Sequence, residues 1–156
     1  MINITKEAEP ITNILNEFLA PFDCEARLGT DFAYYTDDNS ISYAIITPEK
    51  DETEFINFAE KLFPDVKANA FIWSILHELG HHETEDDFED DEWEDYMTLT
   101  LLDISNEVYF ELDIERAATV WAGEYIQSHM EEVTELWNKL QPAIKNFYTE
   151  LNIEGE

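Results

Sequence analysis

Ala70-Phe71-Ile72-Trp73-Ser74-Ile75-Leu76-His77-Glu78-Leu79-Gly80-His81-His82 combines an apolar helical stripe with a His-Glu-x-x-His pattern. Ile72, Ile75, Leu76 and Leu79 recur at helical spacing, which predicts a helix over residues 66–82 with that side buried. Pro64 separates it from what precedes. Residues four apart lie one turn apart on the same helical face, so the imidazoles of His77 and His81 can reach one cation. Glu78 projects beside that face. It is placed to take a proton from a zinc-bound water and to pass it later to a leaving amine. Gly80 removes a side chain where a substrate or a crossing helix must come close.

A catalytic zinc site needs a third protein ligand and one open position. The extension that would supply a third histidine is missing, because positions 84 and 87 are Thr84 and Asp87. The other solution is a glutamate on a later helix, the gluzincin arrangement, and Glu111-Leu112-Asp113-Ile114-Glu115-Arg116-Ala117-Ala118 offers one. Glu115, Ala118, Ala122 and Tyr125 or Ile126 share a face whose small residues allow close packing on the zinc helix. Glu115 then points inward, where a carboxylate needs a cation. Glu111 lies one turn earlier on the same stripe and is the rival ligand, or an acceptor for a ligand histidine.

Outward from this centre, Ile11, Ile14, Leu15, Phe18 and Leu19 predict an amphipathic helix over residues 5–19, ended by Pro21. Short strands are expected over residues 24–29 and 32–35. The clearest strand is 41–47, Ile41-Ser42-Tyr43-Ala44-Ile45-Ile46-Thr47, closed by Pro48. It is a candidate edge for adding an extended substrate. Helices are expected over 52–63, 93–104 and 108–130, and over 131–151 with a break at Pro142. Strands cluster before Pro48 and helices follow. The fold class is therefore α+β: a short sheet, then a mainly helical part carrying the active-site helix. No internal repeat or linker divides the 156 residues, which predicts a single domain over 1–156 with the zinc helix against the sheet.

Eight basic residues face 37 acidic ones, a formal net charge of -29. Such a surface repels nucleic-acid phosphates and anionic lipid, and favours basic protein partners. In residues 83–95 ten of thirteen side chains are acidic, which predicts a solvated loop beside the cleft. That run lacks the Asp-x-Asp-x-Asp-Gly order and any glycine, so it does not read as a calcium loop. Cys24 is the single cysteine and reads as a buried small hydrophobe, with no internal disulfide. No apolar signal region or membrane-length run is present, and a cytoplasmic setting is the expectation. His82 points about a hundred degrees away from His81 and reads as a solvent-facing or capping residue. His129 lies near an expected helix C-terminus. Tyr109 and Tyr125 read as core, with oxyanion donation as their functional alternative.

These motifs resemble the ImmA/IrrE family of small bacterial and phage zinc metallopeptidases. That family carries His-Glu-x-x-His on one helix and Glu-x-x-Ala on a later one. Here the matches are His77-Glu78-Leu79-Gly80-His81 and Glu115-Arg116-Ala117-Ala118, followed by Trp121-Ala122. The resemblance covers residues 41–126 and implies a small zincin-like domain. Its implied metal ligands are His77, His81 and Glu115 around one zinc ion, with Glu78 as general base. It further implies a cytoplasmic protease acting on a regulatory protein, often a DNA-binding repressor. A reading from a different class also follows from the charge. An acidic DNA mimic or inhibitor would block a basic nucleic-acid-binding partner and use zinc only structurally.

Overall fold

The computed structural model describes residues 4–45 and 49–150. The elements in chain order begin with helices α1 (Ile4–Glu7) and α2 (Glu9–Leu19), then strands β1 (Glu25–Leu28), β2 (Ala33–Tyr35) and β3 (Ser40–Tyr43). There follow helices α3 (Glu49–Leu62), α4 (Ala70–Thr84), α5 (Asp90–Thr100), α6 (Asn106–Glu111), α7 (Asp113–Ser128) and α8 (Met130–Glu150). The architecture is α+β with one small sheet and a helical majority. No helix among the described residues is long and apolar enough to cross a membrane.

The chain divides into two compact units. One holds residues 1–46 and 129–156, the other residues 47–128. In the first, Ile11, Leu15 and Leu19 form the buried stripe of α2. The single helix expected over residues 5–19 is two, because α2 restarts at Glu9 with a proline in its first turn, where the missing N–H costs no helical bond. Asn16 extends from α2 to accept the backbone N–H of Ala26 at 2.6 Å, tying the helix to β1. The helix α8 packs on α2 and buries Val133, Leu136, Leu140 and Phe147. It runs unbroken through Pro142, so the expected break there does not occur; its described part ends at Glu150.

The sheet order is β1-β3-β2, with β1 parallel and β2 antiparallel to β3. Ala26 pairs with Ile41, and Ala33 with Ser42. All four residues of β3 are buried. Tyr43 is fully covered, and its hydroxyl meets that of Thr12 at 2.6 Å. The expectation that this strand offers an edge to a substrate is therefore corrected. Both sides of β3 are already hydrogen-bonded, and the edges of the sheet are β1 and β2. The strand is also shorter than expected, since it ends at Tyr43; the remainder of the expected run at Ile46-Thr47 lies outside the described residues. Cys24 is buried, as expected of a small hydrophobe.

Among the described residues, the regular elements of the second unit are all helices. Asn69 sets the start of α4: its Oδ1 accepts the Ile72 N–H at 2.9 Å, satisfying a donor that the first helical turn leaves open. Ile72, Trp73, Ile75, Leu76 and Leu79 are buried on this helix. α4 crosses α7 at Gly80, where a Cβ would run into the Ala118 carbonyl and come within 3.0 Å of the Ala118 Cα. The glycine is thus required by a crossing helix. On α7 the buried residues are Ile114, Glu115, Ala118, Thr119, Ala122, Gly123 and Ile126.

Two expectations about the helical part are corrected. The acidic run 83–95 is not a loop: α4 continues to Thr84, a short 3-10 turn covers Glu85–Asp87, and α5 begins at Asp90. Its acids suit a helix start. Asp90, Asp91 and Glu92 occupy the first turn of α5, where the helix dipole favours negative charge, and the Glu92 carboxylate accepts the Glu89 N–H at 3.2 Å. The expected helix over 108–130 is interrupted at Leu112, whose backbone turns to ψ 138° and separates α6 from α7.

Candidate metal centre

The buried faces of α4 and α7 bring three metal-ligating side chains together. His77, His81 and Glu115 are all buried, and their ligand atoms lie within 4.8 Å of one another. Oε1 of Glu115 is 2.9 Å from Nε2 of His77 and 3.2 Å from Nε2 of His81. For a tetrahedral ion with bonds of about 2.0–2.1 Å, neighbouring ligand atoms are roughly 3.3 Å apart. The carboxylate therefore sits at a ligand's distance from both imidazoles.

The Thr119 hydroxyl has one proton, and it goes to the Glu115 carbonyl one turn earlier at 3.2 Å. The same oxygen lies 3.0 Å from Nδ1 of His77, and with its own proton on the carbonyl it accepts from Nδ1. The neutral imidazole then turns the Nε2 lone pair toward Oε1. In that tautomer the 2.9 Å between Nε2 and Oε1 leaves room for one positive charge, a proton or a metal ion. These residues fit a metal ion: two imidazoles and a carboxylate converge, and one imidazole is already held by its far nitrogen.

The same three groups are coupled electrostatically. Burial alone would drive Glu115 up. The hydrogen bonds and charges of His77 and His81 overcome this and hold it well below the usual carboxylate range. Burial pulls His81 down, but the hydrogen bond and charge of Glu115, with the charge of Glu78, raise it overall. Glu78 itself is half-buried on α4. Its charge is felt at His81 and also at Tyr96, which places its field over the same site.

The second oxygen of Glu115 has its own partners. The Tyr109 hydroxyl of α6 donates to Oε2 at 2.8 Å, and the Tyr96 hydroxyl of α5 donates to the same atom. Burial first, and then the Glu115 carboxylate, push both phenols far above their ordinary pKa, so each keeps its proton to donate. Phe55 stands edge-on to His77 with ring centroids 5.1 Å apart, and packs on Phe110, forming an apolar wall beside the histidine.

The structure decides between the two glutamates singled out in the sequence. Glu111 is exposed and pairs with Arg116 at 3.2 Å, while Glu115 joins the histidines. The break at Leu112 puts Glu111 on another helix, so the two do not share a stripe. His82 is half-buried and is not among the clustered ligands. Tyr125 stacks on Trp121 with ring centroids 5.2 Å apart. Sequence reasoning passed over Tyr96 and Thr119, and it favoured a core role for Tyr109. Thr119 carried a usable signal, since it is four residues beyond Glu115 and so lies on the same face. Tyr96 carries none: it falls within the helix expected over 93–104, and no local spacing relates it to Glu115. Compared with family models, curated proteins and solved structures, the chain matches none.

Proposed function

We propose that this chain is a zinc-dependent peptidase of the ImmA/IrrE kind. The observation that carries the reading is the buried convergence of His77, His81 and Glu115 beside the half-buried Glu78. Zinc, when bound there, supplies a Lewis acid that polarises a peptide carbonyl and makes water a better nucleophile near neutral pH. Glu78 removes a proton from the attacking water as its oxygen bonds to the carbonyl carbon. The carbon–nitrogen bond then breaks as Glu78 returns that proton to the leaving nitrogen; the remaining water proton passes from the new carboxylic acid to the amine, giving a carboxylate and an ammonium. Thr119 keeps the His77 ring oriented for ligation through Nε2. Phe55 limits water access from its side.

The substrate we propose is a basic protein, of the regulatory or DNA-binding kind. A net charge of -29 steers cationic partners inward and disfavours direct binding to nucleic acid. Met97 and Val108, which adjoin Tyr96 and Tyr109 in sequence, and Leu101 and Leu102 between them are exposed apolar side chains, and such side chains support contact with a protein chain. The lone buried cysteine suits a reducing, cytoplasmic setting.

The test is metal analysis of protein purified without added zinc, followed by hydrolysis of a basic test protein by wild type and Glu78→Gln. One zinc per chain, with hydrolysis lost in the variant while zinc is kept, supports the peptidase. An acidic mimic with a structural zinc would bind its partner equally well with either residue and cleave nothing. Protein that takes up no zinc sinks both readings.

A further inference from the structure

The carboxylate of Glu115 is divided between two tasks. Oε1 faces the histidines, and Oε2 takes hydrogen bonds from Tyr96 and Tyr109. Each phenol has a single proton, and both protons are directed to the same oxygen. The two hydroxyl oxygens lie 3.3 Å apart, a contact left without a proton once both donate to Glu115. Such crowding of two donors on one oxygen is a strong restraint, because charge-assisted bonds to a buried carboxylate are worth about twice neutral ones. The tyrosines come from α5 and α6, outside the two motif-bearing helices.

We propose that Tyr96 and Tyr109 are positioning residues that hold Glu115 to one-oxygen ligation, and so keep a coordination position open for water and substrate. The inference rests on the reading of His77, His81 and Glu115 as a metal site. A carboxylate can bind through one oxygen or two. With Oε2 engaged by two phenols, only Oε1 is available. Without them, Oε2 turns toward the ion and fills the position that a hydrolytic site leaves vacant. Loosening the carboxylate also weakens the site, since outer partners of metal ligands typically set about 10–100-fold in affinity.

Cobalt(II) is the probe, because its visible absorption reports coordination number. The full chain is titrated with Co²⁺ as wild type, Tyr96→Phe, Tyr109→Phe and the double variant. Phenylalanine keeps the ring and removes only the donor. Circular dichroism and thermal melts of the metal-free proteins show which variants fold. Two single variants are included so that failure of one to fold leaves the other informative.

The expected result is a four-coordinate spectrum in wild type. In the folded variants Co²⁺ affinity falls by about 10–100-fold and the spectrum changes toward higher coordination, most in the double variant. Wild-type spectrum and affinity in folded Phe variants would overturn the positioning role while leaving the metal site intact. Failure of wild type itself to bind Co²⁺ or Zn²⁺ would overturn the underlying metal-site reading, and this inference with it.

Discussion

Nδ1 of His77 lies 3.0 Å from the Thr119 hydroxyl, across the crossing of α4 and α7. Forty-two positions separate the two residues in the chain, and both are buried. Thr119 is bound in turn to the Glu115 carbonyl. One hydroxyl thus joins His77 to the backbone of Glu115, and the two helices register on each other through a polar contact.

Thr119→Val keeps the shape and removes the acceptor. The His77 N–H is then buried without a partner, which costs about 1–3 kcal/mol. Zinc affinity is expected to fall by about 10–100-fold, since the imidazole loses its orientation. Chelator competition measures the second effect and denaturant unfolding the first. Thr119→Ser, which keeps the hydroxyl, should stay close to wild type in affinity.

The two glutamates should behave oppositely. Glu115→Gln removes the buried charge from the ligand set, and zinc content should collapse. Glu111→Gln breaks only an exposed pair with Arg116, so stability should stay within about 0.5 kcal/mol and zinc content unchanged. Loss of zinc in the Glu111 variant would mean that the third ligand has been misassigned.

Gly80→Ala sets two effects against each other. In an open helix position the change would stabilise by about 1 kcal/mol. Here the new methyl meets the Ala118 backbone, which cannot swing aside as a side chain would. Overpacking typically costs about 1–3 kcal/mol, and contact with a rigid backbone belongs at the upper end. Net destabilisation is expected, measured by urea unfolding. A more stable variant would show that the helices separate easily.

Zinc should act as a folding ligand, because the unfolded chain does not assemble its three donors. Free zinc at 1,000 times its dissociation constant would add about 4 kcal/mol. The melting temperature should therefore rise with zinc concentration in wild type and remain flat in His77→Ala. A wild-type melt indifferent to both zinc and chelator would count against any metal role.

The acids of the run 83–95 divide by position. Asp90, Asp91 and Glu92 lie in the first turn of α5 and interact with its dipole, so neutralising each should cost about 0.3–1 kcal/mol. Asp86, Asp87, Glu94 and Asp95 are exposed and lie outside that turn. Changing these four to Asn or Gln should leave zinc content intact and slow cleavage of a basic test protein. The deficit should shrink with salt, which screens exposed charges over about 8 Å at physiological strength. Equal rates on basic and neutral proteins at every salt concentration would reduce the run to a solubilising surface.

What depends on local periodicity is legible in the chain. The four-residue spacing of His77 and His81 put both on one helical face, and Gly80 marked a close approach. The inward stripe of Glu115, Ala118 and Ala122 followed from the same period, as did the α+β division with strands before Pro48. The choice between Glu115 and Glu111 needed the three-dimensional fold, because a single extended residue, Leu112, cancels the phase relation that a continuous helix would have kept. The fold alone put β3 in the middle of its sheet, since strand order is a matter of pairing between segments and leaves no local trace. It alone converged Tyr96, Tyr109 and Thr119 on His77 and Glu115. These contacts join four helices, and a one-dimensional pattern records which face of each helix is buried without recording which other face it meets.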